Sequence, residues 1–336
     1  MMRARSATVE LSRILMKSKG KIVSGGHLSR MFSLSRQSIW KTIRALSDEG
    51  FSIRSIPQKG YVLEGLPEYD LAPSYIGALL PSHSFSGTEI HVFETLPSTQ
   101  ETAKQIGRQG KSERVIVLSE EQTRGRGRRD RTWISPPKSG VFLSFFFRPK
   151  LLPGRLQLVN LAAGLAVKKA VRDLYSIDLA LKWPNDLLLK NGKICGILSE
   201  ASSESDRIRD CCTGIGLNIS PPSRTDDEER GRILEGAGFL SERVDRVHRG
   251  KLVAGILSVF SDLLASLESD GGFSLLSLYR SECSTLGKEV FVTTEEGTDI
   301  GKASGIGDNG ELLVLRGGEL VSYCAADVVH ATPAGE

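Results

Sequence analysis

The chain has 336 residues, of which 40% are hydrophobic and 25% are charged, and its formal net charge at pH 7 is +4. These values are typical of a globular protein with two or three domains and exclude low-complexity and fibrous classes. No apolar run approaches the ~20 residues of a membrane-spanning helix, so we expect no membrane association. The five cysteines include no Cys-x-x-Cys pair, which argues against a metal site built by the protein alone and indicates a reducing, cytoplasmic location.

The positive charge is concentrated in residues 1–66. This segment has 12 Lys and Arg against 4 Asp and Glu, a net charge of +8, so the remaining 270 residues sum to −4. A basic segment joined to an acidic remainder predicts a polyanionic partner for that segment alone.

The same segment has the element order of a winged helix-turn-helix. The predicted elements are helices at 11–18, 27–32 and 36–50 and strands at 51–56 and 61–63. Ser35 is a good N-cap for the third helix and Gly50 a good stop, so this helix is the predicted recognition helix in the DNA major groove. A protein-docking module is the alternative. The residues predicted to contact DNA are Ser35, Arg36, Gln37, Lys41 and Lys59.

A Pro-containing linker at 66–75 precedes a larger domain of mixed strands and helices. Its predicted strands lie at 90–94, 115–119, 141–147 and 212–219, and its predicted helices lie at 98–107, 157–174, 251–268 and 273–282. A polar segment at 220–238 is expected to be mobile until a ligand binds. From residue 286 the chain changes to short alternating strands, at 289–293, 299–306, 312–315 and 320–324, which predict a small β-barrel.

The segment Glu120–Trp133 contains five arginines within eight residues, interrupted by Gly125 and Gly127. Glycine permits close approach of backbone N–H groups, and guanidinium groups bind phosphate or carboxylate oxygens in a bidentate manner. The pattern therefore predicts an anion-binding loop. A solvated basic loop is the alternative.

Two short apolar runs, Leu187–Leu189 and Ile194–Leu198, predict a hairpin with Lys190-Asn191-Gly192 at its tip. Lys193 then lies at the start of the second strand. An inward-facing ammonium on an apolar hairpin requires an anionic partner, whereas an outward-facing lysine is an ordinary solvated residue.

With these motifs the chain resembles the biotin protein ligases, of the bifunctional type that also acts as a biotin-operon repressor. The matching motifs are PSTQ at Pro97–Gln100, GRGRR-x-R-x-W at Gly125–Trp133, KWPND at Lys182–Asp186, K-x-x-G-I-L at Lys193–Leu198 and GIGLN at Gly214–Asn218. Five motifs in order are far more specific than one Gly/Arg loop.

The resemblance implies an α+β fold of three domains. These are a winged helix-turn-helix at 1–66, a central mixed α/β biotin-ligase domain of the class II synthetase-like type at 67–284, and an SH3-like β-barrel at 285–336. It also implies that biotin and ATP with Mg²⁺ give biotinyl-5′-AMP, and that the biotinyl group passes to a lysine of the biotin carboxyl carrier protein of acetyl-CoA carboxylase. A homodimer bound to adenylate would then bind operator DNA.

The resemblance further assigns residues. The implied catalytic residues are Lys193, Arg126 and Arg128. The implied biotin- or adenylate-binding residues are Ser98, Thr99, Gln100, Gln122, Gly125, Arg126, Gly127, Arg128, Asn185, Asp186, Lys193, Gly196, Gly214 and Asn218. Ser98 and Thr99 also fit ordinary helix capping, and Pro184-Asn185-Asp186 also fits a turn. Two other functions remain open: an effector-binding transcription factor without ligase activity, and a lipoate or octanoyl transferase.

Overall fold

The computed structural model describes residues 2–110, 112–190, 192–204, 206–222, 234–324 and 326–330. The N-terminal elements are α1 (Met2–Lys17), α2 (Gly25–Phe32), α3 (Arg36–Asp48), β1 (Ser52–Ile56) and β2 (Gly60–Gly65). Ser24 and Ser35 are the N-caps of α2 and α3, and Ser35 Oγ accepts a hydrogen bond from Ser38 N at 3.1 Å. Leu11, Leu28 and Ile39 are buried between the helices. The predicted helix order and wing are confirmed.

The central part of the chain forms a seven-stranded sheet. Its strands are β3 (Glu89–Leu96), β4 (Arg114–Gln122), β5 (Gly140–Phe147), β6 (Ala180–Lys182), β7 (Asp186–Leu189), β8 (Gly192–Glu204) and β9 (Arg207–Asn218). Their spatial order is β3-β4-β5-β9-β8-β7-β6, and every pair is antiparallel except β3 with β4. The predicted hairpin is present as β7 and β8, although Asn191 at its tip lies outside the described residues. Most of the polar segment at 220–238 also lies outside them.

Helices cover both faces of this sheet. They are α4 (Pro73–Leu79), α5 (Ser82–Phe85), α6 (Thr99–Gln109), α7 (Leu156–Tyr175), α8 (Arg249–Asp270) and α9 (Phe273–Glu282). On one face, Phe260 of α8 meets the rings of Phe145 and Phe147 edge-on. On the other face, α6 lies so close that a Cβ at Gly107 would be 2.2 Å from the Phe146 ring. Helix α8 has the length and composition of a membrane span, but half of its apolar window is buried, as in a core helix.

The C-terminal part forms one antiparallel sheet of five strands. They are β10 (Glu289–Thr293), β11 (Thr298–Ile306), β12 (Leu312–Arg316), β13 (Glu319–Tyr323) and β14 (Asp327–His330), in the order β13-β12-β11-β10-β14. The fifth strand was not predicted, because four residues are too short to show an alternating pattern. No strand pairing joins β13 to β14 within the described part of the chain, so closure into a barrel stays a prediction.

Trp183 attaches the C-terminal sheet to the central one. Its side chain is fully buried, and Nε1 donates a hydrogen bond to Gly310 O at 2.8 Å. Its backbone N–H donates to Thr285 Oγ1 at 3.0 Å. The KWPND motif therefore has a structural as well as a candidate functional role.

Helix α4 is held at both ends by the N-terminal domain. At its start, Glu49 Oε2 accepts a hydrogen bond from Ser74 N at 2.8 Å. At its end, Arg13 Nη2 donates to the carbonyl oxygens of Gly77 at 2.9 Å and Leu80 at 2.8 Å. These side chains satisfy the backbone groups that a helix leaves unpaired at its termini. They join the N-terminal domain firmly to the rest of the protein.

Arg249 forms a second connection, at the start of α8. It donates to Asp70 Oδ1 of the linker at 2.9 Å and to Glu120 Oε2 at the end of β4 at 2.6 Å. Glu120 is only 5% exposed. The linker is thereby fixed to the strand that leads into the arginine-rich loop.

Candidate active site

Three glycines form a floor on the face of the sheet that also carries α6. Gly196 of β8 pairs with Gly216 of β9, and Gly214 is two residues further along β9. A Cβ at Gly216 would be 2.3 Å from Trp133 Nε1, and one at Gly214 would be 2.4 Å from Gln100 Oε1. Trp133 and Gln100 can therefore lie against the sheet only because positions 216 and 214 carry no side chain.

The arginine-rich loop, residues 123–134, is closed by its own backbone. Trp133 N donates to Gly125 O at 3.0 Å, and Gly127 N donates to Arg131 O at 2.6 Å. A Cβ at Gly125 would lie 2.3 Å from Trp133 O, so only glycine fits there. Arg129 and Asp130 have φ values of 52° and 56°, which place the left-handed turn at the tip of the loop.

The arginines of this loop point to different partners. Arg128 Nη1 donates to Asn185 Oδ1 at 3.2 Å and to Ala326 O at 3.4 Å. Arg126 pairs with Glu101 and, at 3.3 Å, with Glu200 Oε2. Burial lowers the pKa of Arg128. The loop thus presents a half-buried guanidinium, Arg128, and an exposed one, Arg126.

Lys193 contacts Asp186 and Trp133. Its Nζ is 2.8 Å from Asp186 Oδ1 and 5.6 Å from the centroid of the Trp133 ring. Arg128 and Lys193 therefore pair with two consecutive residues of the chain, Asn185 and Asp186. Asn218 Nδ2 donates to Lys193 O at 3.3 Å and so fixes the backbone of the lysine. Arg126 is held nearer to α6 by its two carboxylate partners, Glu101 and Glu200.

A cluster of hydrogen-bonded polar side chains lies at the start of α6. Gln122 Oε1 accepts from Thr99 N at 2.8 Å and from Thr99 Oγ1 at 3.0 Å, and the Thr99 hydroxyl lies 2.8 Å from Ser144 Oγ. Gln100 Nε2 donates to Glu200 Oε2 at 2.9 Å. Ser98 is buried but makes no capping hydrogen bond with its side chain. These residues form a buried polar end to the glycine floor.

The predicted DNA-contacting residues are all exposed. Ser35, Arg36, Gln37 and Lys41 lie on the first turns of α3 or at its cap, and Lys59 lies in the turn of the wing; all are exposed. Trp40 of α3 is 49% exposed, with the Arg44 guanidinium carbon 5.7 Å from its ring centroid.

Several site residues were missed by the sequence reasoning. They are Glu101, Lys104, Ser144, Glu200 and Asp327. Glu101 directly follows the PSTQ motif, and Glu200 follows the Lys193 motif. Their closeness to these motifs in the sequence could have indicated that they belong to the site. Within the described ranges, no group of three or more His, Cys, Asp or Glu side chains has the arrangement of a metal site.

Comparison with known proteins agrees with both parts of the fold. The biotin/lipoate A/B protein ligase family model matches residues 92–218, and a helix-turn-helix domain model matches residues 10–62. The chain is 30% identical over 320 residues to the bifunctional ligase/repressor BirA of Bacillus subtilis (strain 168), covering 95% of this chain and 97% of that protein. It is 27% identical to BirA of Escherichia coli (strain K12), and the match covers 96% of this chain and 97% of that protein.

Two further matches cover less of the chain. The chain is 32% identical over 227 residues to the biotin--[acetyl-CoA-carboxylase] ligase of Mycobacterium tuberculosis, covering 64% of this chain and 79% of that one. The fold resembles that of the biotin protein ligase of Aquifex aeolicus in complex with biotin and ATP, with a TM-score of 0.62 and 24% identity over 72% of this chain and 99% of that chain.

The fold and the site define a ligase domain that is joined to a helix-turn-helix domain. The near-complete match to the Bacillus subtilis protein shows that the chain belongs to the bifunctional ligase/repressor family.

Proposed function

We propose that the chain activates biotin with MgATP to biotinyl-5′-AMP and then transfers the biotinyl group to a lysine of a carrier protein. The observation that carries this proposal is the pairing of Arg128 and Lys193 at the adjacent residues Asn185 and Asp186, beside the glycine floor. The relatives support it, since they are biotin ligases.

In the first half-reaction a carboxylate oxygen attacks the α-phosphorus of ATP, the bond to the β-phosphate breaks and pyrophosphate leaves. The main barrier is repulsion between two anions. Lys193 and Arg128 would reduce it by neutralising the carboxylate and the phosphates, and Arg126 would join them once it leaves its carboxylate partners. Gly125 and Gly127 would let backbone N–H groups approach the phosphates.

Magnesium would arrive with ATP as part of the substrate. Mg²⁺ is usually held by one or two carboxylates together with phosphate oxygens and water. Asp186 would fit this role as the carboxylate beside Lys193, whose Nζ lies 2.8 Å from its Oδ1 and would have to give way to the metal. Asn185 would act on the nucleotide indirectly, by holding the Arg128 guanidinium.

Biotin would lie over Gly196 and Gly214, with its ureido ring at the buried polar end. Ser98, Thr99 and Gln100 would hydrogen-bond that ring, and Gln122 would orient Thr99. Asn218 would keep Lys193 in position. A small polar head in an otherwise apolar pocket is the usual form of such a site.

In the second half-reaction the lysine amine of the carrier attacks the carbonyl carbon of the mixed anhydride, and AMP leaves. Asp186 would accept the proton from the amine. The carrier that we infer is the biotin carboxyl carrier protein of acetyl-CoA carboxylase, which acts in the cytoplasm. The five cysteines are all unpaired, which is consistent with that location.

We also propose that the protein is a biotin-responsive repressor. Bound adenylate would promote a homodimer, and two copies of α3 would then enter successive major grooves of operator DNA. A gel-shift assay with and without biotin and ATP tests this role. DNA binding that is independent of both ligands would contradict the switch.

Biotin-dependent exchange of pyrophosphate into ATP tests the ligase function. We expect exchange with biotin and labelling of an added carrier domain. A transcription factor without ligase activity would bind biotin but show no exchange. A lipoate or octanoyl transferase would prefer lipoate or octanoate in a parallel assay.

A further inference from the structure

Glu200 of β8 accepts from three side chains with one oxygen. Its Oε2 lies 2.9 Å from Gln100 Nε2, 2.8 Å from Lys104 Nζ and 3.3 Å from Arg126 Nη2. Its side chain is 35% exposed, so the group lies at the edge of the glycine floor. No other residue in the described ranges contacts both the polar end of the floor and the arginine-rich loop in this way.

The Glu200 contact fixes which way the Gln100 amide points. A glutamine amide has two N–H donors and one oxygen acceptor, and its orientation follows from its partners. The donors of Gln100 face Glu200 and, at 3.4 Å, Cys212 O, and both of these partners only accept. Gln100 Oε1 is therefore turned to Gly214, where it accepts no hydrogen bond from the described part of the protein.

We infer that Glu200 is a positioning residue that presents Gln100 Oε1 as an acceptor to an N–H donor of the ligand. This inference rests on the proposed ligase function and specifies the chemistry at the polar end of the floor. A cyclic urea offers such N–H donors, whereas the dithiolane of lipoate offers none. Glu200 thereby contributes to the choice of ligand without touching it.

Glu101 provides a matched control. It pairs with the same two cations as Glu200, with Lys104 at 2.8 Å and with Arg126, but no hydrogen bond joins it to Gln100 among the described contacts. Replacing either glutamate removes a carboxylate from Lys104 and Arg126. Only replacing Glu200 frees the Gln100 amide to rotate.

The experiment compares Glu200→Gln with Glu101→Gln in biotin-dependent pyrophosphate exchange by the full-length protein. A glutamine at 200 can both donate and accept, so Gln100 Oε1 can turn towards it. For Glu200→Gln we expect the KM for biotin to rise about tenfold, as for loss of a charge-assisted hydrogen bond, with kcat nearly unchanged. Glu101→Gln removes the same kind of contact from Arg126, so any change in kcat should match that of Glu200→Gln; the KM for biotin should change less than about twofold, because no described contact joins Glu101 to Gln100.

A double-mutant cycle completes the test. If Glu200 acts through Gln100, then Glu200→Gln should add little to the KM of Gln100→Ala. Glu200→Asp keeps the negative charge but has a shorter side chain, so it should raise the KM for biotin as Glu200→Gln does. It serves as the test variant if Glu200→Gln folds poorly. Equal KM values for the Glu200 and Glu101 variants, or additive effects in the cycle, would overturn the inference. Absence of exchange by the unmodified protein would instead refute the ligase function itself.

Discussion

Arg131 Nη2 lies 2.6 Å from Asp327 Oδ2, although 196 positions separate the two residues in the chain. The same carboxylate oxygen is 3.4 Å from Arg129 Nη1, and Arg129 also donates to Thr293 O at 3.3 Å. The arginine-rich loop of the central domain is therefore held by the first residue of β14 in the C-terminal sheet. This contact joins the C-terminal sheet to the arginine-rich loop.

Asp327→Asn should loosen the loop. Because the two ion pairs are partly exposed, we expect each to contribute about 1 kcal/mol or less to stability. The KM for ATP should rise severalfold, and trypsin should cleave at the loop arginines sooner than in the unmodified protein. Asp299→Asn is the control, since Asp299 pairs with Arg316 inside the C-terminal sheet. Unchanged cleavage in Asp327→Asn would show that the loop does not depend on this residue.

Lys193→Ala should nearly abolish biotin-dependent pyrophosphate exchange. Loss of one charge-assisted contact to the transition state costs about 2–4 kcal/mol, which is roughly a hundredfold or more in rate. Lys190→Ala is the matched control, because Lys190 lies on the same hairpin but is 61% exposed and 3.9 Å from Glu242. Near-normal exchange in Lys193→Ala would remove the lysine from the mechanism.

Arg249→Ala should destabilise the fold. The change leaves the buried Glu120 and the half-buried Asp70 without their cation, and breaking such a pair costs about 3–5 kcal/mol. Urea unfolding measures the loss. The exposed Arg246 offers a control three residues away, and Arg246→Ala should change the free energy of unfolding by no more than about 0.5 kcal/mol.

His330 should lower the free energy of unfolding as the pH falls below about 6.5. Burial, and then Lys288 and Lys182, lower its pKa from 6.5 to about 4 in the folded protein. The unfolded chain therefore binds this proton more readily, so the contribution of His330 is complete above pH 6.5 and is lost as the pH falls towards 4. Unfolding free energies at pH 7 and pH 5 should differ less in His330→Gln than in the unmodified protein. The exposed His83→Gln variant should retain the full difference.

Arg36→Ala and Lys59→Ala should weaken DNA binding. Both side chains are exposed, on α3 and on the wing. If Lys59 contacts a phosphate, its removal should reduce the slope of log affinity against log salt by about one. Lys169→Ala, on the exposed side of α7, should leave the slope unchanged. Equal slopes for the Lys59 and Lys169 variants would exclude a phosphate contact at the wing.

Local features of the fold could be predicted from the sequence, whereas long-range pairings could not. Ser35 and Gly50 marked the recognition helix because caps and stops are local properties. The strands β8 and β9 run further than predicted, since their pairing continues through polar residues such as Ser202 and Ser203. A hydrophobic pattern cannot reveal such an extension.

In the candidate site, too, local features could be predicted from the sequence and long-range pairings could not. Gly125 was recognisable from the Gly/Arg pattern of its loop, although the close contact with Trp133 O that requires glycine there was visible only in the structure. The pairing of Arg126 with Glu200 depends on the register that places Leu198 opposite Gly214 and so brings the end of β8 beside α6. Register is set by the whole sheet, so neither residue alone indicated the contact.

The chain has three tryptophans, and each lies in a different functional region. Trp40 is half-exposed on the recognition helix, Trp133 covers the glycine floor, and Trp183 is sealed between the central and C-terminal sheets. Variants that keep one indole at a time would therefore supply three separate fluorescent reporters. Quenching by DNA, by nucleotide or by separation of the two sheets could then be followed independently in the same protein.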